Sequence, residues 1–191
     1  MNTASQRITL LARQRQPVFH TGDLARLWNI QNPNTLYTVL KRYTAKGLLF
    51  RIYKGLYSLL PPDKLDPLFL GLKALHSYAY VSTETILIEA GLMMQMTYQY
   101  TLISRFSRHF TIGSHAFRSR KLEDKYLFNA AGIIQLNGIL KATPERALAD
   151  LFYFNPRAYV DGIDTVDFKK LNQLQKEIGY QITPKFHAHP A

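Results

Sequence analysis

The chain has 191 residues, 47% hydrophobic and 19% charged, a balance that excludes a disordered polyelectrolyte and allows one large or two small cores. It contains no apolar run of the roughly 18 residues a membrane-spanning helix needs, and zero cysteines exclude disulfides and thiolate metal centres. The net charge of +11 is unevenly placed: residues 1–60 hold nine Lys or Arg against Asp23 alone, and residues 61–191 hold fifteen against twelve acids. Such asymmetry points to a polyanionic partner, with nucleic acid ahead of an anionic membrane.

In chain order, the N-terminal MNTASQRITLLARQ has too short an apolar patch for a secretory signal, so a cytoplasmic location is expected. Ser5 is the expected cap of a first helix carrying Ile8, Leu11 and Ala12 on one side. Pro17-Val18-Phe19 ends it and offers a short strand. Thr21 is expected to cap a second helix with Asp23 in its first turn and Leu24, Leu27 and Trp28 on one face. Asn32 as cap and Pro33 at the first helical position predict a third helix from Pro33 to Lys46, stopped by Gly47.

Along that third helix Leu36, Val39, Leu40 and Tyr43 recur at helical spacing and predict its buried stripe. Its open face then carries Asn34, Thr35 and Thr38 near the start and Lys41 and Arg42 toward the end, with Tyr37 at the edge. Small hydrogen-bonding side chains can reach base edges, and cations can neutralise phosphates. Leu48–Tyr53 and Leu56–Leu60 read as two strands joined at Lys54-Gly55, placing Arg51, Tyr53, Lys54 and Tyr57 on a basic hairpin. Three helices followed by such a hairpin outline a winged helix-turn-helix over residues 1–60.

Pro61-Pro62 interrupts helix and strand alike and predicts a domain boundary near 60–66. Residues 63–191 read as mixed α/β, so the fold class expected is α+β. Its elements are a helix at 65–75, a strand at 78–81, a helix from Ser82 or Thr83 to Gly91, strands at 97–103 and 108–112, extended pieces near 116–118 and 132–136, and helices at 144–154 and 166–178. Arg105, Arg108, Arg118, Arg120 and Lys121 form a candidate second basic face, suited to DNA or to an acidic patch on a protein. His109, His115, Glu123 and Asp124 invite a metal-dependent nuclease reading, but the surrounding cations oppose a bound metal. Phosphate loops, serine elbows and His-Glu-x-x-His pairs are absent. No catalytic residue, metal or cofactor is expected. Asp150 reads as either an interface contact or a buried hydrogen bond, with a structural role favoured, and His187 and His189 read as part of a loose tail.

The order of the N-terminal elements, then YVSTETILIEAGL (80–92), then KATPERALADLFYFNP (141–156), resembles the AbiEi family of antitoxins over nearly the whole chain. That resemblance implies a type IV antitoxin. Its N-terminal domain represses its own operon at inverted repeats, and its C-terminal domain, here residues 63–191, counteracts a nucleotidyltransferase-like toxin. The alternative is a winged-helix transcriptional regulator without antitoxin activity.

Overall fold

The structure is a computed structural model that describes residues 3–14, 16–95 and 97–184; His187 and His189 lie outside the described residues. The fold is mixed α and β and divides into two compact units, residues 1–76 and 77–191. The division therefore falls at His76, later than the Pro61-Pro62 stretch. The preceding strand ends at Ser58, ahead of those prolines, but the next helix, α4 (Pro67–Ala74, capped by Asp66), still belongs to the first unit.

The first unit runs α1 (Ala4–Ala12), β1 (Val18–His20), α2 (Thr21–Leu27), α3 (Pro33–Ala45), β2 (Phe50–Tyr53), β3 (Leu56–Ser58) and α4. Its strands form a small antiparallel sheet in the order β1-β3-β2. The cap of α1 is Thr3, not Ser5. Thr3 Oγ1 accepts from Gln6 N at 3.3 Å and Thr3 N donates to Gln6 Oε1 at 2.8 Å, so two orphan donors are satisfied at once. The cap of α2 moves back by one, from Thr21 to His20, whose backbone N–H donates to Asp23 Oδ2 at 3.2 Å. Asn32 caps α3 as expected, accepting from Asn34 N and Thr35 N at 2.9 and 3.3 Å. The core gathers Leu11, Phe19, Leu24, Trp28, the α3 stripe Leu36, Val39, Leu40 and Tyr43, then Leu49 and Tyr57.

The second unit is built on a six-stranded mixed sheet in the order β6-β7-β5-β4-β9-β8. Its strands are β4 (Ala79–Val81), β5 (Gln99–Ser104), β6 (Arg108–Ile112), β7 (His115–Lys121), β8 (Ile133–Leu136) and β9 (Ile139–Ala142). Its helices are α5 (Glu84–Glu89), α6 (Asp124–Leu127), α7 (Pro144–Phe154) and α8 (Phe168–Ile178). Helix α7 packs against α5, α8 and β9. At the β4–α5 turn, buried Thr83 takes φ 49° and its hydroxyl donates to Glu84.

A buried polar network ties these elements together. Asp150 accepts from Tyr80 Oη at 3.0 Å, Ser82 Oγ at 2.7 Å, Arg146 Nε at 3.0 Å and Tyr180 Oη at 2.8 Å. The fully buried Arg146 guanidinium also donates to the carbonyls of Tyr126, Asn129 and Ala131. With every donor engaged, the charge is stabilised although burial opposes it, and Asp150 raises the Arg146 pKa. Gly132 admits this arrangement because a Cβ there would lie 2.7 Å from Arg146 Cβ. Of the two readings of Asp150, its burial and four partners fit the buried hydrogen bond.

Candidate nucleic-acid interface

Because the core stripe of α3 fills one side of the helix, the opposite side faces solvent. Asn34, Thr35, Tyr37, Thr38, Lys41 and Arg42 are all exposed there. Thr38 Oγ1 donates to the Asn34 carbonyl at 2.9 Å, which fixes the hydroxyl near the start of the helix. The Arg42 guanidinium lies 5.7 Å from the Tyr43 ring centre, and the residue is exposed. On the hairpin, Arg51 and Lys54 are exposed and Tyr53 is half-buried.

Folding brings three of these residues from two elements around one recess. Tyr37 and Lys41 of α3 meet Arg51 of β2 across a groove of about 620 Å3, floored by Thr21, Thr44, Gly55 and Tyr57. Its rim therefore offers an ammonium, a guanidinium and a phenol. Among the described residues, no salt bridge engages Lys41, Arg42, Arg51 or Lys54. Cations without acidic partners are free to meet an external anion.

Two features of the groove were not legible as site residues. Thr21 holds the hairpin turn, donating from its backbone N–H at 2.9 Å and its hydroxyl at 3.1 Å to the Gly55 carbonyl. Gly55 itself takes φ +67°, a conformation glycine tolerates without strain. Tyr57 is a correction: expected on the outer hairpin surface, it is only 7% exposed and packs into the core. β3 is the central strand of its sheet, and Leu56, Tyr57 and Ser58 are all buried.

The second basic cluster does not form one face. Arg108 pairs with Ser119 and His109 with Arg118 across β6 and β7, so Arg118 and Arg120 project from one side of the sheet while Arg108 and Lys121 project from the other. Arg105 is engaged by Asp124 through contacts of 3.0 and 2.5 Å, which raise its pKa and lower that of Asp124. Arg120 is mostly buried, 3.9 Å from the Phe154 ring centre and 3.5 Å from Glu84. Burial lowers its pKa, with Glu84 opposing. With Arg105 and Arg120 paired to acids and the strand residues split between two faces, these five residues lack the continuity that their spacing suggested.

The acidic residues of the nuclease reading are committed too. Glu123 accepts from Tyr153 Oη at 2.9 Å and pairs with Lys125 at 3.0 Å, while Asp124 holds Arg105. Among the described residues no three His, Asp or Glu side chains are placed to share a metal ion, and no helix is long and apolar enough to cross a membrane.

No protein-family model and no curated protein matches the chain. Among solved structures it is similar to the crystal structure of the RV2827C protein from Mycobacterium tuberculosis, with a TM-score of 0.56 at 14% identity over 91% of this chain and 71% of that one. At that identity the likeness is one of fold.

Proposed function

We propose that the chain is a DNA-binding antitoxin that represses its own operon. In this reading α1, α2, α3 and the β2–β3 hairpin act as a winged helix-turn-helix on an operator with inverted repeats. Asn34, Thr35 and Thr38 touch base edges. Lys41, Arg42, Arg51 and Lys54 hold phosphates, with Tyr37 and Tyr53 flanking them. The observation that carries the reading is the Lys41–Arg51–Tyr37 groove beside the open face of α3, in a unit with one acidic residue among its first sixty. The antitoxin part is supported by the resemblance of residues 80–92 and 141–156 to the AbiEi family, which supplies a nucleotidyltransferase-like toxin as the second partner. Double-stranded DNA is the first partner, and the protein itself performs no catalysis in this reading.

The test has two arms. The full-length double variant Lys41→Ala, Arg42→Ala should bind its upstream DNA more weakly, with the slope of log affinity on log salt reduced by about two units. Equal affinity for wild type and variant at moderate salt would sink the DNA assignment. In the second arm, the neighbouring nucleotidyltransferase-like protein is expressed from an unrelated promoter. Rescue of growth by wild type and by the double variant supports the antitoxin role. Failure of both leaves a transcriptional regulator.

A further inference from the structure

A second recess, of about 420 Å3, lies at the start of α3 and is bordered by Arg7, Trp28, Gln31, Asn32 and Thr35. Arg7 reaches it from α1, where it stands one turn before buried Leu11. Two contacts fix its position. Its carbonyl accepts from Trp28 Nε1 at 3.3 Å, and its guanidinium carbon lies 5.8 Å from the centre of the indole. The Arg7 Nε is buried and has no hydrogen-bond partner among the described residues. Asp23, the only acidic residue among the first sixty, is engaged by Arg26 at 2.6 Å. A guanidinium held against a core tryptophan with a buried N–H lacking an acceptor is a costly arrangement, of the kind that marks functional sites.

The donors around the recess indicate what it takes. Asn32 spends its side-chain carbonyl on the first N–H groups of α3, which leaves its amide group as a donor. Gln31 and Thr35 are exposed beside it and add an amide and a hydroxyl. A carboxylate presents two oxygens in one plane and suits a single fork. A phosphate presents oxygens in several directions and suits a fork met by donors from other sides. We propose that this recess is a phosphate seat anchored by the Arg7 guanidinium, and that the phosphate belongs to a nucleic-acid backbone. The carrier of the phosphate rests on the DNA reading above; the chemistry of the seat does not.

Trp28 is the single tryptophan of the chain, so intrinsic fluorescence of the full-length protein reports on the recess directly. Inorganic phosphate, titrated against chloride of equal ionic strength, should change that fluorescence saturably. Arg7→Met keeps an unbranched stem against the indole without the fork and should abolish the response. Arg7→Lys keeps the charge without bidentate geometry and should weaken it. With a short DNA duplex, Arg7→Met should reduce the salt slope by about one unit. An Arg7-dependent phosphate response with an unchanged duplex slope would overturn the assignment to nucleic acid in favour of a free phosphate. A wild type that binds no duplex yet keeps the phosphate response would end the DNA reading and leave the seat standing. A response insensitive to Arg7→Met would overturn the seat. If that variant melts early, Thr35→Val and Gln31→Leu replace it, and an undiminished phosphate response in both is equally fatal.

Discussion

Single side chains in this protein divide sharply by what surrounds them. Asp150 is fully buried and accepts four hydrogen bonds, so its removal strands the Arg146 charge and three hydroxyl donors. Asp150→Ala should destabilise the second unit by about 3–5 kcal/mol in urea denaturation, whereas Arg105→Ala, in an exposed pair, should leave the midpoint in place. The same network predicts an alkaline limit. Burial first, and Asp150 second, push the Tyr80 and Tyr180 phenols far above their usual range. A raised folded value means stability that is complete below the unfolded value near pH ~10 and is lost as pH climbs above it. Denaturation midpoints that begin to fall well below that pH would contradict this account. In the first unit the sign reverses. Burial and His76, whose ring centre is 3.7 Å away, hold the His20 imidazole below its usual value; Lys73 adds to this and Asp23 opposes it. Its contribution is complete above the usual histidine value of ~6.5 and is lost as pH falls through the lowered folded value. His20→Gln should flatten that acid limb of the stability curve.

At the scale of elements, α3 and the hairpin are positioned by devices a few residues long. Asn32→Ala removes the acceptor for two N–H groups and should cost about 1 kcal/mol by thermal denaturation. Gly55→Ala forces an L side chain into φ +67°, with its Cβ 3.3 Å from Thr21 Oγ1. The expected cost is about 1–2 kcal/mol, together with weaker DNA binding, because the turn carrying Lys54 is tied to Thr21. Retention of wild-type stability would show that the turn relaxes freely. Element boundaries follow the same logic. The α3 stripe and Asn32-Pro33 were readable because cap and periodicity agree, and observed α3 ends one residue before the expected Lys46. The caps of α1 and α2 were displaced because the reciprocal bonds of Thr3 with Gln6, and the bond from His20 N–H to Asp23, favour Thr3 and His20 over Ser5 and Thr21. Strand β9 had no expected counterpart, although Asn137-Gly138 before it is a favoured pair for a two-residue hairpin.

Across the whole molecule, charge and compactness coincide. Residues 1–76 hold eleven Lys or Arg against three acids, and residues 77–191 hold thirteen against ten. A fragment of residues 1–76 should therefore retain salt-sensitive DNA binding, and residues 77–191 should bind little under the same conditions. A fragment ending at residue 60 removes α4, Lys73 and His76, the groups beside His20, and should melt earlier than the longer one. Equal affinity of the two units for a DNA duplex, measured by fluorescence anisotropy, would remove the charge argument.

The sequence by itself determined the mixed α and β class, the order of most elements and the buried and open sides of α3, because caps, prolines and apolar spacing act over a few residues. It also placed Lys41, Arg42, Arg51 and Lys54 on exposed positions, since an acid-poor basic stretch has no local partner to bury against. Only the tertiary structure decided which distant residues meet. It set Arg51 across a groove from Lys41, turned Tyr57 into the core, carried Arg7 to Trp28 and split Arg108 from Arg118 across a sheet. Those outcomes depend on strand register and on packing between elements far apart in the chain, which no local pattern encodes.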